Sequence, residues 1–77
     1  MNKQRRAALG KIVATIYQAY ADLETINNEE QDAYDNLPDS LRDGDKGEAM
    51  QEAIDNMESA LQGLEDAKDY LTDLANG

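Results

Sequence analysis

The chain has no cysteine, histidine, tryptophan or phenylalanine, one proline (Pro38) and five glycines among 77 residues. Without Cys or His there is no zinc site of the usual kind, no thiol nucleophile and no imidazole base. The common catalytic constellations therefore cannot be assembled, and the sequence reads as a non-enzymatic protein with no cofactor and no metal. Disulfide and metal staples are missing for the same reason. A chain of 8.5 kDa buries too little surface to be robust alone, which leaves oligomerisation as the expected support. A long hydrophobic run is also lacking. The stretch from Ala7 to Ala21 is broken by Gly10, Lys11, Thr15 and Gln18, so it is neither a signal-peptide core nor a membrane span. The expectation is a cytoplasmic protein with no membrane partner.

Positive charge is scarce and unevenly placed. Residues 1–21 hold Lys3, Arg5, Arg6 and Lys11 with no acid, a charge of +4. Residues 22–77 hold all 17 acids and only three cations, a charge of −14 within a total of −10. A basic head on an acidic body implies one end that can meet phosphates or acidic surfaces. Four cations cannot offset a −14 body beside them, so direct binding of duplex DNA is not expected.

What is abundant is apolar periodicity. Leu9, Ile12, Ile16, Ala19, Leu23, Ile26, Ala33 and Leu37 fall at spacings of three and four, interrupted only at Glu30. Val13, Tyr20 and Tyr34 lie beside this heptad stripe and widen it. In the second half Met50, Met57, Leu64 and Leu71 recur every seven residues, interleaved with Ala53, Ala60, Ala67 and Leu74 and widened by Ile54 and Leu61. Met50 and Met57 read as fillers of an irregular core. Tyr17, outside the stripe, reads as a half-exposed edge residue or an interface anchor.

Pro38 disfavours helical geometry at Leu37 and cannot donate an amide hydrogen bond, which ends the first helix near Asp35 or Asn36. Asp43-Gly44-Asp45-Lys46-Gly47 is turn composition. Asp45 with Glu48 three residues later reads as an N-cap and capping box. Between them Asp39-Ser40-Leu41 can form one helical turn. The expected layout is a single domain over 1–77, with a helix over about 4–36, a loop over about 37–45 and a helix over about 46–75. Two helices of equal length joined by a short loop fold back as an all-α antiparallel hairpin. The extra apolar flank of Val13, Tyr20, Ile54 and Leu61 then predicts self-association into a dimeric four-helix bundle.

Two charged features are candidates for function. Glu48, Glu52, Asp55, Asp66, Asp69 and Asp73 step by three and four along one face of the second helix, with Ser59 and Gln62 filling the gap. Such an array is either a solvated face or a surface for a basic partner, including one that normally holds nucleic acid. Lys3, Arg5 and Arg6 open the first helix, where positive charge opposes the helix dipole. They either pair with Asp66, Asp69 and Asp73 or, gathered from several copies, contact the phosphates of a nucleotide. The acidic loop from Asp35 to Glu48 does not have the oxygen-ligand spacing of a calcium-binding loop.

The segment Asn36-Leu37-Pro38-Asp39-Ser40-Leu41, the run Gly47-Glu48-Ala49-Met50-Gln51-Glu52-Ala53-Ile54-Asp55-Asn56-Met57-Glu58-Ser59-Ala60 and the basic opening resemble small acidic helical proteins from phages and mobile elements of Gram-positive bacteria. That family has no assigned chemistry, so the resemblance carries no functional residues. It implies an accessory protein that binds and inhibits or redirects a host protein. With the apolar flank and the acidic stripe, the expectation is a module that self-associates and meets that host protein through its acidic helical surface. Two narrower roles stand beside that expectation: a nucleic-acid mimic that inhibits a host DNA- or RNA-binding defence protein, and an oligomeric sponge for a phosphate-bearing nucleotide.

Overall fold

The computed structural model describes all 77 residues, Met1–Gly77. It contains three helices, α1 (Lys3–Asp35), α2 (Asp39–Arg42) and α3 (Asp45–Asn76). The two long helices pack against each other and the molecule measures 58 × 14 × 12 Å. At about 1.5 Å per residue a 33-residue helix is about 50 Å long, so the hairpin is one helix length plus its turn.

Local chemistry sets the ends of the helices. The Asn2 side chain accepts a hydrogen bond from the Arg5 backbone N–H at 2.8 Å, capping α1. At the far end Asn36 is the C-cap, and Pro38 begins the short turn of α2. Arg42 ties this turn down: its Nη2 donates to the Leu37 carbonyl at 3.1 Å and to the Asp35 carbonyl at 3.3 Å. Its guanidinium also lies over the Tyr34 ring and pairs with Asp39. The expected Asp45 cap is not used. Gly44 is the N-cap of α3 and Asp45 is already helical. Asp45 and Glu48 instead place negative charge in the first turn, where the helix dipole favours it.

Gly47 is where the turn meets α3. A Cβ on Gly47 would lie 1.8 Å from the Arg42 carbonyl oxygen. Only glycine lets the α2 backbone rest this closely on the start of α3.

The seam between α1 and α3 follows one of the two phases that the sequence offers. The covered residues of α1 include Leu9, Val13, Ile16, Tyr20, Leu23, Asn27, Glu30 and Tyr34, and Leu37 continues the line just past its end. On α3 they include Gly47, Met50, Ile54, Met57, Leu61, Leu64, Lys68, Leu71 and Ala75. Ile54 is 1% exposed and Leu61 9%.

This corrects the expected self-association set. Val13, Tyr20, Ile54 and Leu61 face inward across the hairpin and do not form an outer flank. Ile12, Ala19, Ile26 and Ala33 take the outer position instead. The reason is the size of the partner residues. Turning Ile54 and Leu61 inward in place of Ala53 and Ala60 buries roughly three more carbons at each position, worth about 2 kcal/mol apiece. Asn27 enters the seam with that phase in place of Ile26, while Glu30 holds a seam position in either one. Asn27 keeps a side-chain oxygen that is buried without a hydrogen-bond partner.

Candidate functional site

The α3 seam residues point toward α1, so the positions on the opposite side of α3 point away from the hairpin. Glu48, Glu52, Asp55, Asp66, Asp69 and Asp73 occupy that outer line, and all six are exposed. Their neighbours hold them lightly. Gln51 Nε2 donates to Asp55 Oδ1 at 3.2 Å and Gln62 Nε2 to Asp66 Oδ1 at 3.0 Å, each one turn apart. Lys68 Nζ lies 3.7 Å from Asp69 Oδ1. The other three carboxylates have no side-chain hydrogen bond or ion pair, so most of the line keeps its acceptor capacity for a partner.

At the basic end, Lys3 and Arg5 are exposed and Arg6 is half-buried at the start of the seam. None of Lys3, Arg5, Arg6 and Lys11 is in an ion pair; the two pairs in the chain are Arg42–Asp39 and Lys68–Asp69. The expected pairing of these cations with Asp66, Asp69 and Asp73 is therefore not formed. Geometry explains it, because those acids lie on the outer line of α3, directed away from α1. Nor do the carboxylates gather: no group of three or more could hold a metal ion.

One shallow groove of about 270 Å³ lies along the side of the seam. Tyr17, Tyr20, Ala21 and Glu24 of α1 face Glu65 and Lys68 of α3 across it. Tyr17 is 64% exposed, and Lys68 Nζ sits 5.0 Å from the centre of its ring. A lysine ammonium over an aromatic face is a favourable contact of modest strength. It lets the Lys68 stem cover the seam while the charge reaches water. Sequence periodicity missed Lys68 and Asn27, since a search for apolar repeats passes over polar residues in a seam. It missed Arg42 because its bonds form only where the turn folds back on the end of α1. The spacing of Lys68 from Leu61 and Ala75, seven residues each way, is the signal that was present for it.

No helix is long and apolar enough to cross a membrane. No family model matches the chain. No curated protein and no solved structure matches it significantly.

Proposed function

We propose that the chain is a non-enzymatic interaction module, an accessory protein of a phage or mobile element. It works in the cytoplasm as a self-associated helical rod and binds a host protein through the outer face of α3. The observation that carries this reading is the exposed line Glu48, Glu52, Asp55, Asp66, Asp69 and Asp73 on a rod 58 Å long. A fixed line of carboxylates on a stiff scaffold suits a basic groove. Charge complementarity of that kind supplies association rate and partner choice more than raw affinity.

The broad reading is favoured over close mimicry of duplex nucleic acid by charge density. A net −10 over 58 Å is about one charge per 6 Å, against roughly one per 1.7 Å for duplex DNA. A nucleotide sponge has less support still, because the chain's one groove is lined by none of Lys3, Arg5 and Arg6.

Affinity capture from a host lysate tests the reading, followed by calorimetry on the captured partner with the triple variant Asp55→Asn, Asp66→Asn, Asp69→Asn. The three carboxylates are exposed, so the hairpin should fold unchanged. Binding should weaken by about tenfold or more. Equal affinity for wild type and variant would refute the acidic face as the binding surface.

A further inference from the structure

One strip of α3 carries no charge. The nine acids of this helix occupy its outer line and the flank on the groove side. The remaining strip from Ala49 to Leu74, which includes Ala53, Ala60, Gly63, Ala67, Tyr70 and Leu74, has none. Its counterpart on α1 is Ile12, Ala19, Ile26 and Ala33, bordered on the solvent side by Thr15, Asp22 and Glu29. The two strips share one side of the hairpin. Tyr17, Glu24 and Glu65, each one residue after a seam position, line a single groove. In antiparallel helices the residues one before the seam positions 13, 20, 27 and 34 and 54, 61, 68 and 75 must then meet on the opposite side. On that side Ile12 is 47% exposed, Ile26 54%, Leu74 50% and Tyr70 73%.

We propose that a second copy of this chain covers this side, running antiparallel to the first, with the two-fold axis passing near Gly63. Three observations select that occupant and orientation. The first is charge. The end formed by residues 1–11 and 66–77 has five cations against three acids, +2, whereas residues 29–52 have nine acids against two cations, −7. At a screening length of about 10 Å these ends are independent along a rod but interact where two copies touch. An antiparallel pair sets each +2 end against a −7 end. A parallel pair sets −7 against −7.

The second is shape. The large residues Ile12, Tyr70 and Leu74 lie at the terminal end of the strip, and the small residues Ala33, Ala49 and Ala53 lie at the loop end. An antiparallel copy places large against small, and a parallel copy stacks large on large. Gly63 falls midway between Ala53 and Leu74, and a Cβ there would meet nothing within 4 Å. Glycine in mid-helix weakens the helix relative to alanine, with no compensating contact inside the hairpin. At the two-fold axis it permits close approach of the two α3 backbones.

The third is area. A side of 58 × 14 Å projects about 800 Å², the share that each partner contributes to a standard stable interface. The hairpin alone buries three residues of 77, so the pairing also supplies the missing core.

This inference deepens the self-association in the proposed function, but it uses a different side of α3 from the acidic line. Losing the dimer and losing the basic partner are therefore separate results. Sedimentation equilibrium on the full chain at micromolar concentration should return 17 kDa, twice the 8.5 kDa chain mass. The variant Ala60→Glu/Ala67→Glu should return the chain mass. Orientation is read from a nitroxide at Ser40→Cys, an exposed residue of the short α2 turn on an otherwise native chain. Antiparallel copies hold the two labels ~50 Å apart, one helix length, and parallel copies hold them within ~20 Å, two helix widths. A wild-type mass of one chain or of more than two, a variant that stays dimeric, or the short label distance would overturn the proposal.

Discussion

The two sides of the α1–α3 seam differ in kind. On one, Tyr17, Glu24, Glu65 and Lys68 frame a shallow groove whose tips are polar. On the other, Ile12, Ala19, Ile26 and Ala33 lie beside Ala53, Ala60, Ala67 and Leu74 with no charge among them. The polar side ends the hairpin against water. The apolar side leaves the amphipathic pattern unfinished, as a stripe wider than one neighbouring helix can cover. A heptad pattern thus specifies the first partner of each helix and also the direction in which a second partner would be added.

The largest expected effect removes the seam that both sides share. Ile54→Ala truncates the largest fully buried side chain, 1% exposed, and should destabilise the fold by about 2–5 kcal/mol in urea or thermal unfolding. Ile26→Ala, on the apolar side at 54% exposure, should cost far less within a hairpin held monomeric by Ala60→Glu/Ala67→Glu. Comparable losses at the two positions would erase the distinction between seam and flank.

A glycine pair sharpens the contrast. Gly47→Ala drives a Cβ into the Arg42 carbonyl and should cost about 1–3 kcal/mol as the α2 turn shifts. Gly63→Ala adds a methyl in open space. In the same monomeric background it should stabilise α3 by about 0.5–1 kcal/mol. Opposite signs for the two glycines, read by chemical denaturation, are the expected outcome.

Asn27→Leu tests the polar break inside the seam. Removing a buried, unpartnered side-chain oxygen should raise stability by about 1 kcal/mol or more. A polar seam residue fixes register at a cost in stability, so the variant should also show broadened or multiple backbone NMR signals at the seam. Higher stability with one sharp set of signals would deny Asn27 that role. The smallest effect belongs to the exposed cap, where Asn2→Ala loses the bond to the Arg5 N–H. That loss should amount to about 1 kcal/mol and show as fraying of the first turn of α1.

The helices, their lengths and the break at Pro38 were legible in the residues, because three-and-four spacing and proline act locally. The seam phase was not. Residues 12 and 13, 19 and 20, and 33 and 34 are apolar pairs, and the one unequal pair, Ile26 and Asn27, points to the phase that the structure leaves outside. The choice rests with α3, whose large inward residues are Ile54 and Leu61, and no reading of α1 alone contains it. The acidic line of α3 was legible residue by residue, since helical period alone sets an outer face. The bonds of Arg42 to the end of α1 and the need for glycine at position 47 were not, because both arise where the chain folds back on itself. Glu48 was read as a capping partner by spacing, but Gly44 begins α3 one residue before the position that this pattern needs.

Small-angle scattering from the unmodified chain tests the central claim most directly, since one profile reports mass and length together. Two antiparallel copies lying side by side predict 17 kDa, twice the 8.5 kDa chain, with a longest dimension close to that of a single hairpin, whose backbone spans 58 Å. A particle of one chain mass, or one of two chains with nearly double that length, would contradict it.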